Sequence, residues 1–210
     1  MSQFGLFDDD ALVTSIPGLR YERDFLSIED EALLIDVIQS LPLHAARYKD
    51  YFARRRVVSF GRSFDFDANK LLPGQPLDDR LADLKQRVAR WAGIAPARLV
   101  HALVAEYAPG TPLGWHRDVP NFEHIIGVSL GGQATLRFRP YPYRPDLVGQ
   151  VRNLSVEPRS IYMMAGDARW RWQHCVEATK ELRWSITFRD IRDGHSDARS
   201  NAVSRRTNEH

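Results

Sequence analysis

The sequence predicts an α+β protein in which two helices precede a double-sheet β core, of which the jelly roll is one kind. Two observations lead to this class. Apolar residues recur at helical spacing in two segments before Gly93, whereas short β-rich runs separated by Gly and Pro follow Pro96. In a chain of 210 residues these elements favour one domain, which we expect over residues 1–193 with the N-terminal helices packed on one sheet.

The first predicted helix begins near Ser27 and ends before Pro42. Asp30 lies at the capping-box spacing from Ser27, and Pro42 lacks the N–H group that a helix interior requires. The apolar positions of this helix are Leu33, Leu34, Val37, Ile38 and Leu41.

The second predicted helix runs from Asp78 to Trp91. Its apolar residues fall on one stripe, and Gly93 provides a stop signal because glycine readily adopts the left-handed conformation that ends many helices. The residues of the stripe are Leu81, Leu84, Val88 and Trp91.

Five β-rich runs after Pro96 predict the strands of the core. They read LVHALVAEY, IIGVSL, ATLRFR, SIYMMA and RWSITFR. The pattern weakens at both ends of the chain. We expect residues 1–20 to form a loosely structured arm and residues 194–210, which are polar and aperiodic, to form a disordered tail.

Composition predicts a soluble domain in a reducing, cytoplasmic compartment. The single cysteine, Cys175, excludes an internal disulfide, and no apolar run approaches the ~20 residues that span a bilayer. The N-terminal residues lack the basic and apolar regions of a signal peptide. The net charge is only +2, so binding to nucleic acid would depend on a local basic patch.

The residue types and spacing of His116, Asp118 and His174 predict a metal site. Residues two apart in an extended segment point the same way, so His116 and Asp118 can reach one ion, and the fold would supply His174. Two imidazoles with one carboxylate suit Fe(II) because they leave positions open for oxygen chemistry. A second His-x-Asp triplet at His195 lies in the predicted tail and lacks this context.

The run from Arg183 to Arg189 alternates strictly between polar and apolar residues. Arg183, Ser185, Thr187 and Arg189 share one face of the predicted strand. One interpretation is a half-buried strand with a solvated polar face. The other is a site for a dicarboxylate, since six residues of strand span about 20 Å and an arginine at each end can bind a carboxylate in bidentate fashion.

The stretches EYAPGTPLGWHRD, VSLGGQATLRFR, WQHC and RWSITFR together resemble the AlkB family of iron- and 2-oxoglutarate-dependent dioxygenases. The resemblance covers roughly residues 99–192, and RRRVVSFGRSFDF matches more loosely. It implies a double-stranded β-helix core, a dioxygenase activity, and Fe(II), 2-oxoglutarate and O2 as cofactor and co-substrates. It also implies oxidative dealkylation of methyl or etheno bases in DNA or RNA, as in the repair of alkylation damage.

The resemblance assigns roles to individual residues. His116, Asp118 and His174 correspond to the iron ligands. Arg183 corresponds to the partner of the distal 2-oxoglutarate carboxylate, and Tyr107 to a tyrosine that supports this co-substrate. Arg189 corresponds to an arginine near the end of the motif that chelates iron. Ser185, on the same face as both arginines, is a further candidate for binding the co-substrate.

Two positions depart from the family pattern. Ala105 stands where the family often has an asparagine, two residues before Tyr107. Pro120 stands where nucleobase-repair members often have an acidic residue near the target base. The first departure removes an amide from the co-substrate site, and the second places the family's mode of base recognition in question.

The candidate substrate segment lies at about residues 45–70, where a basic triplet is set among aromatic residues. Basic groups can follow phosphates while aromatic rings stack on bases, so we expect single-stranded DNA or RNA as a partner of a monomeric protein. The alternative is a solvated charged face above core aromatics. The candidates are Arg54, Arg55, Arg56, Phe64 and Phe66.

The run RWRW before His174 supplies two more candidates for the substrate pocket. Strand alternation would place Trp170 and Trp172 on the same face as His174, although packing in the core explains them equally well. Trp115, next to His116, should face the opposite way and is assigned to the core.

Three functions fit these observations. The first is dealkylation of nucleic-acid bases. The second is the same chemistry on a protein side chain or small molecule, which Pro120 and the modest net charge favour. The third is a binding module without catalysis, which the intact set of metal and arginine residues argues against.

Overall fold

Two antiparallel sheets face each other, and two helices cover the outer face of the larger one. This computed structural model describes residues 15–48, 51–65 and 70–193. The predicted class, an α+β protein with a double-stranded β-helix core and N-terminal helices on one sheet, is confirmed. The predicted tail and the triplet at His195 lie outside the described residues, as do residues 1–14 of the predicted arm.

Helix α1 (Ile28–Ser40) begins where the capping box was predicted. Ser27 Oγ accepts a hydrogen bond from the Asp30 backbone N–H at 3.0 Å, and Asp30 Oδ2 accepts one from the Ser27 backbone N–H at 3.3 Å. Leu34 and Ile38 are buried against the sheet, whereas Leu33 is 67% exposed and does not belong to the buried stripe. The helix ends at Ser40, before Pro42.

Helix α2 (Ala82–Ala92) follows a 3₁₀ turn (Asp79–Leu81), so the α-helical part begins later than Asp78. Asp78 caps the turn by accepting the Arg80 backbone N–H. At the other end Gly93 has φ 72°, the left-handed conformation that glycine adopts without strain.

The strands pair in antiparallel fashion and range from 4 to 15 residues. In chain order they are β1 (Leu19–Glu22), β2 (His44–Tyr48), β3 (Tyr51–Asp65), β4 (Lys70–Pro73), β5 (Leu99–Tyr107), β6 (Leu113–His116), β7 (Phe122–Gly131), β8 (Ala134–Pro140), β9 (Arg152–Val156), β10 (Ile161–Met164), β11 (Trp172–Val176) and β12 (Arg183–Ile191). The major sheet has the order β1-β10-β7-β12-β5-β3-β2, with β4 beside β3, and the minor sheet has the order β6-β11-β8-β9. Short helical segments also occur at Pro96–Arg98, Pro145–Gln150 and α3 (Gly166–Trp170).

The alternation of β12 separates two clusters of core residues. Trp184, Ile186 and Phe188 pack with α1 and α2, as the pattern predicted. The opposite face, which begins with Arg183 and Ser185, is buried as well because the minor sheet lies over it. The interpretation of a solvated polar face is therefore wrong, and the polar residues of β12 line the interior between the sheets.

The end of the predicted N-terminal arm is ordered. Ile16 is fully buried and Leu19 begins β1, which pairs with β10 at the edge of the major sheet. Ile16 and Leu19 are thus part of the core, because these apolar side chains pack at a sheet edge that the sequence does not reveal. No described helix is long and apolar enough to cross a membrane.

Replacing Ser27 with alanine is expected to lower the free energy of unfolding by about 1 kcal/mol, since it removes the side-chain acceptor that caps α1. Urea denaturation measures the change. The matched control is Gln39→Ala on the exposed side of the same helix, which should change stability by less than about 0.5 kcal/mol. Equal losses in both variants would show that the cap does not stabilise the fold.

Candidate metal and co-substrate site

The two predicted ligand histidines are neighbours across two strands of the minor sheet. His116, the last residue of β6, pairs directly with His174 in β11, and their ring centroids are 4.2 Å apart. Asp118 follows just beyond β6, with Oδ2 3.6 Å from His174 Nε2. One ligand atom from each of the three residues lies within 4.8 Å of the others, so a single ion can contact all three.

The site holds its ligands in the protonation states that a metal requires. Burial lowers the pKa of His174 to about 3 and also lowers that of His116, so both imidazoles are neutral near pH 7. Burial opposes ionisation of Asp118, but the surrounding positive charge, to which Arg189 contributes most, outweighs burial and holds the pKa of this carboxyl well below its usual range. The two neutral imidazoles therefore offer a lone pair each to a metal ion, and the Asp118 carboxylate offers a negative charge.

The hydrogen bonds of His116 and Asp118 leave one atom of each side chain free to bind a metal ion. His116 Nδ1 lies 2.8 Å from the carbonyl oxygen of Gly114, so Nδ1 carries the proton and Nε2 keeps its lone pair. Asp118 Oδ2 is buried and accepts no hydrogen bond from the described residues. A buried, charged oxygen without a partner is costly unless a cation is bound. These residues thus fit Fe(II), with His116, Asp118 and His174 as its ligands.

Arg189 contacts the ligand carboxylate, so the expectation that it chelates iron is wrong. Its Nε donates to Asp118 Oδ1 at 2.7 Å, and its Nη2 lies 2.6 Å from the same oxygen. A guanidinium group is always protonated and has no lone pair to offer a metal. Its role in this structure is to fix one oxygen of Asp118 and leave the other free.

His101 and Ser59 extend this contact to the neighbouring strands, and the sequence analysis did not identify either. Arg189 Nη1 lies 3.2 Å from His101 Nδ1, and His101 Nε2 lies 3.0 Å from Ser59 Oγ. Burial and then the charge of Arg189 lower the pKa of His101 to about 3, so its neutral ring can accept from Arg189. A hydrogen-bonded chain therefore runs from β3 to Asp118.

Arg169 holds the loop that carries Asp118. This buried side chain donates to the carbonyl oxygens of Asp118, Val119 and Phe122, with Nη2 distances of 3.2, 2.7 and 3.0 Å. Arg169 is the first residue of the RWRW run, in which the sequence pattern pointed only to the tryptophans. Satisfying three carbonyl groups with one guanidinium fixes the loop without regular secondary structure.

Arg183 provides a second buried cation, deep between the sheets. It is 1% exposed; its Nε donates to Ser129 Oγ at 3.1 Å, while Nη1 is buried and has no hydrogen-bond partner among the described residues. Tyr107 lies directly opposite in β5, with its ring 5.1 Å from the guanidinium carbon. An unpaired buried guanidinium favours an anion, and one carboxylate of 2-oxoglutarate fits this position. Ser185 is buried on the same face.

Tyr162 also points into this interior, although the sequence analysis did not select it. Its ring lies over Gly127, where a Cβ atom would meet Tyr162 Cζ. Burial raises the pKa of its hydroxyl to about 12, against the opposing charge of Arg183. Gly127 therefore makes room for the neutral phenol of Tyr162 between the sheets.

The structure divides the predicted substrate residues of β3 between two faces. Arg56 points away from the metal residues, where it donates to Glu106 Oε1 at 3.0 Å and to the Leu43 carbonyl at 3.2 Å. Arg54 is exposed. Arg55 faces the metal side: its charge, after burial, contributes to lowering the pKa of His116, and its buried Nε has no hydrogen-bond partner among the described residues.

The aromatic candidates lie in different surroundings, and of the two tryptophans only Trp172 shares a strand face with His174 as predicted. Trp170 ends helix α3, so strand alternation does not apply to it, and its Nε1 donates to Glu123 at 3.1 Å. Trp172 is half-buried against the cluster of apolar residues that lies between the two sheets. Phe64 is half-buried in β3, and Phe66 lies outside the described residues.

Facing sheets that hold two histidines and an aspartate beside a buried, unpaired arginine define a class, the Fe(II)- and 2-oxoglutarate-dependent oxygenases. The model of the 2OG-Fe(II) oxygenase superfamily matches residues 58–204, so the chain belongs to this superfamily. Within it, the chain is an oxygenase of the AlkB family. It is therefore a dioxygenase that uses Fe(II), 2-oxoglutarate and O2.

Several proteins are similar in sequence to parts of this chain. It is 25% identical over 170 residues to the tRNA (carboxymethyluridine(34)-5-O)-methyltransferase ALKBH8 of Macaca fascicularis, covering 78% of this chain and 25% of the macaque protein. It is 27% identical over 214 residues to the "Alkylated DNA repair protein ALKBH8 homolog" of Arabidopsis thaliana, covering 85% of this chain and 60% of that protein. The chain thus spans less than two thirds of both relatives.

A solved structure shares the fold. The structure of OsALKBH1 aligns with a TM-score of 0.64 and 17% sequence identity, covering 83% of this chain and 97% of the OsALKBH1 chain. At this identity the likeness concerns the fold alone.

Replacing His116 or Asp118 with alanine is expected to abolish turnover and to weaken Mn(II) binding by more than about 100-fold, since even the loss of a group that only supports a ligand costs 10–100-fold. Titration calorimetry on the metal-free protein measures the affinity. His44→Ala, which removes an exposed histidine, is the control and should bind Mn(II) normally. Unchanged affinity in both ligand variants would contradict the metal site.

Replacing Arg183 with methionine is expected to weaken 2-oxoglutarate binding to the Mn(II)-loaded protein by at least about 30-fold, because a buried carboxylate would lose its cation. Calorimetry under argon measures the dissociation constant without turnover. Arg90→Met on the exposed side of α2 is the control. If the two variants bind 2-oxoglutarate equally well, Arg183 does not contact the co-substrate.

Proposed function

We propose that this oxygenase removes alkyl groups from bases in single-stranded DNA or RNA. The observation that carries the proposal is the position of Arg55. Its guanidinium faces the metal residues from a strand outside the minor sheet, and its buried Nε has no partner among the described residues. Arg54 beside it is exposed, so β3 offers one cation that faces the metal residues and one that faces solvent.

The relatives support a nucleic-acid substrate. The macaque relative is named for modification of tRNA, and the Arabidopsis relative is named for the repair of alkylated DNA. The chain spans only 25% of the macaque protein, so the methyltransferase activity in that name is not carried over to it. What the two names share is nucleic acid as the target.

Different residues of this chain have different roles in the proposed reaction. When bound, Fe(II) with 2-oxoglutarate and O2 supplies the oxidation of an unreactive C–H bond. Arg189 keeps Asp118 ionised and aimed, and His116 is oriented by the Gly114 carbonyl. Arg183 binds and orients the co-substrate carboxylate in a region from which the two sheets exclude water. Oxidation of an N-methyl group then releases formaldehyde and the unmodified base.

The charges around the site favour an uncharged base over a cationic base as the substrate. Arg55, Arg169 and Arg189 all act electrostatically on the metal ligands, and Arg189 neutralises Asp118. Position 120, two residues after Asp118, is an exposed proline instead of an acid. A cationic base such as 1-methyladenine would therefore meet Arg55 without a compensating carboxylate, whereas etheno-adenine is neutral and avoids this repulsion.

The proposal is tested with oligonucleotides that carry 1-methyladenine or etheno-adenine, incubated with Fe(II), 2-oxoglutarate and ascorbate. Succinate and oligonucleotide mass are followed together. We expect loss of both lesions, faster for etheno-adenine, and Arg55→Gln should raise the KM for the oligonucleotide several-fold while 2-oxoglutarate affinity stays unchanged. Arg90→Gln serves as the matched arginine control, and His116→Ala as the inactive control.

Two outcomes would contradict the proposal. Succinate formation without change in either oligonucleotide would mean that the base is not the substrate. An Arg55→Gln variant that processes oligonucleotides as the wild type does would remove the observation on which the proposal rests.

A protein side chain or small molecule is the second candidate substrate, and Pro120 favours it. The family's acidic residue near the base is missing at this position, so one of the expected contacts to a base is absent. The same assay separates the candidates, because an oxygenase with such a substrate would form succinate slowly and leave both lesions intact.

A further inference from the structure

The outer face of the minor sheet carries arginine and aromatic side chains in alternation. His116, His174 and Phe138 point inward, so their neighbours Trp115 in β6 and Arg139 in β8 point outward. The prediction that Trp115 belongs to the core is wrong for this reason: neither described core cluster includes it, and its ring lies against the guanidinium groups of Arg137 and Arg139.

Two arginines of this face lie against aromatic rings. The Arg139 guanidinium carbon is 4.4 Å from the centroid of the Trp115 ring and 4.2 Å from that of Tyr143. The Arg117 guanidinium carbon is 3.6 Å from the centroid of the Tyr141 ring. Tyr141 and Tyr143 are 43% and 37% exposed, which is high for large aromatic side chains. The rings therefore hold the arginines in place while both remain accessible from solvent.

The positive charge of this face is not compensated locally. Among the described residues, neither Arg117 nor Arg139 lies within 4 Å of a carboxylate, although Arg137 beside them pairs with Glu177 at 3.4 Å. Arg139 Nε donates to the neutral Gln173 at 2.8 Å, and Arg117 Nη1 donates to the Trp170 carbonyl at 3.0 Å. Both guanidinium groups keep N–H groups and full charge for an anionic partner.

This face is continuous with the metal site. Arg117 stands between the ligands His116 and Asp118, and its side chain points out of the site toward Tyr141. Tyr141 in turn is tied to the strand of His174, because its backbone N–H donates to the Arg171 carbonyl at 2.8 Å. The outer face therefore begins at the residue that separates two of the predicted metal ligands.

We propose that the five residues Trp115, Arg117, Arg139, Tyr141 and Tyr143, here called the arginine–aromatic face, bind the single strand that flanks the oxidised nucleotide. The inference rests on the proposed function. The two arginines contact phosphates, and the exposed tyrosine rings stack on bases. Stacking requires unpaired bases, since the edges of a duplex offer no free ring surface, so the partner is single-stranded.

The proposal is tested by fluorescence anisotropy with unmodified oligo-dT and oligo-U of equal length, measured over a range of salt concentrations. Each phosphate contact contributes about 0.7 to the slope of log K against log salt for a single strand. Arg117→Gln with Arg139→Gln should therefore reduce the slope by about 1.4. Arg139→Lys keeps the charge and should keep most of the slope. Comparison of the two polymers distinguishes DNA from RNA.

The aromatic contribution is tested separately. Tyr143→Leu should lower the affinity at least about fivefold with an unchanged salt slope, because loss of one stacked base changes no phosphate contact. Arg90→Gln on α2 is the matched control and should behave as the wild type. Circular dichroism and the thermal midpoint verify that each variant is folded.

The outcomes separate this inference from the proposed function. Wild-type binding that is unaffected by the variants overturns the arginine–aromatic face and leaves the site at Arg55 as proposed. The absence of any wild-type binding at low salt overturns both. Binding that the variants weaken, in a protein that removes neither lesion, supports this face and contradicts dealkylation.

Discussion

The buried ion pair between Asp118 and Arg189 is the contact on which the rest of the site depends. Asp118 stands in a loop, not in a strand, and burial by itself raises its pKa and favours the protonated form. Arg189 keeps the carboxylate charged, binds one of its oxygens and leaves the other directed toward the two histidines. Because β12 is paired on both sides with long strands, the arginine that positions the loop is itself anchored in the most extensively paired part of the major sheet.

Buried charge explains other features of the interior. The polar face of β12 is enclosed between two sheets, so each of its cations needs a partner. Arg189 has Asp118 and His101, whereas Arg183 has Ser129 and one nitrogen without a partner. The two arginines therefore differ in what they can bind: Arg189 pairs with a predicted metal ligand, and Arg183 keeps a nitrogen free for the carboxylate expected from the co-substrate. The helices stabilise this arrangement from outside by burying the apolar face of the same strand.

Much of the site was predictable because it rests on local patterns. The His-x-Asp triplet and the alternation of β12 have fixed geometric consequences in extended chain, and the ordered motifs brought His174 and Tyr107 to the same site. The contacts that support them were not predictable. Arg169 donates to three carbonyl groups of a loop, and His101 joins Ser59 to Arg189, but neither contact follows from spacing along the chain. The directions of the arginines in the basic triplet of β3 were also not predictable from the sequence. Only the pairing of β3 with β5 determined that Arg55 faces the metal residues and Arg56 faces Glu106.

The sequence by itself determined the class of protein, the helix boundaries near Ser27 and Gly93, five of the described strands and the three residues of the candidate metal site. These depend on capping, on the periods of helix and strand, and on the chemistry of a few side chains, all of which are local. Only the tertiary structure decided that the polar face of β12 is buried, that Ile16 and Leu19 belong to the core, that Trp170 lies in a helix and that Trp115 faces outward with the arginines. Those outcomes depend on which distant strand or sheet covers a residue, and the chain carries no local signal for that.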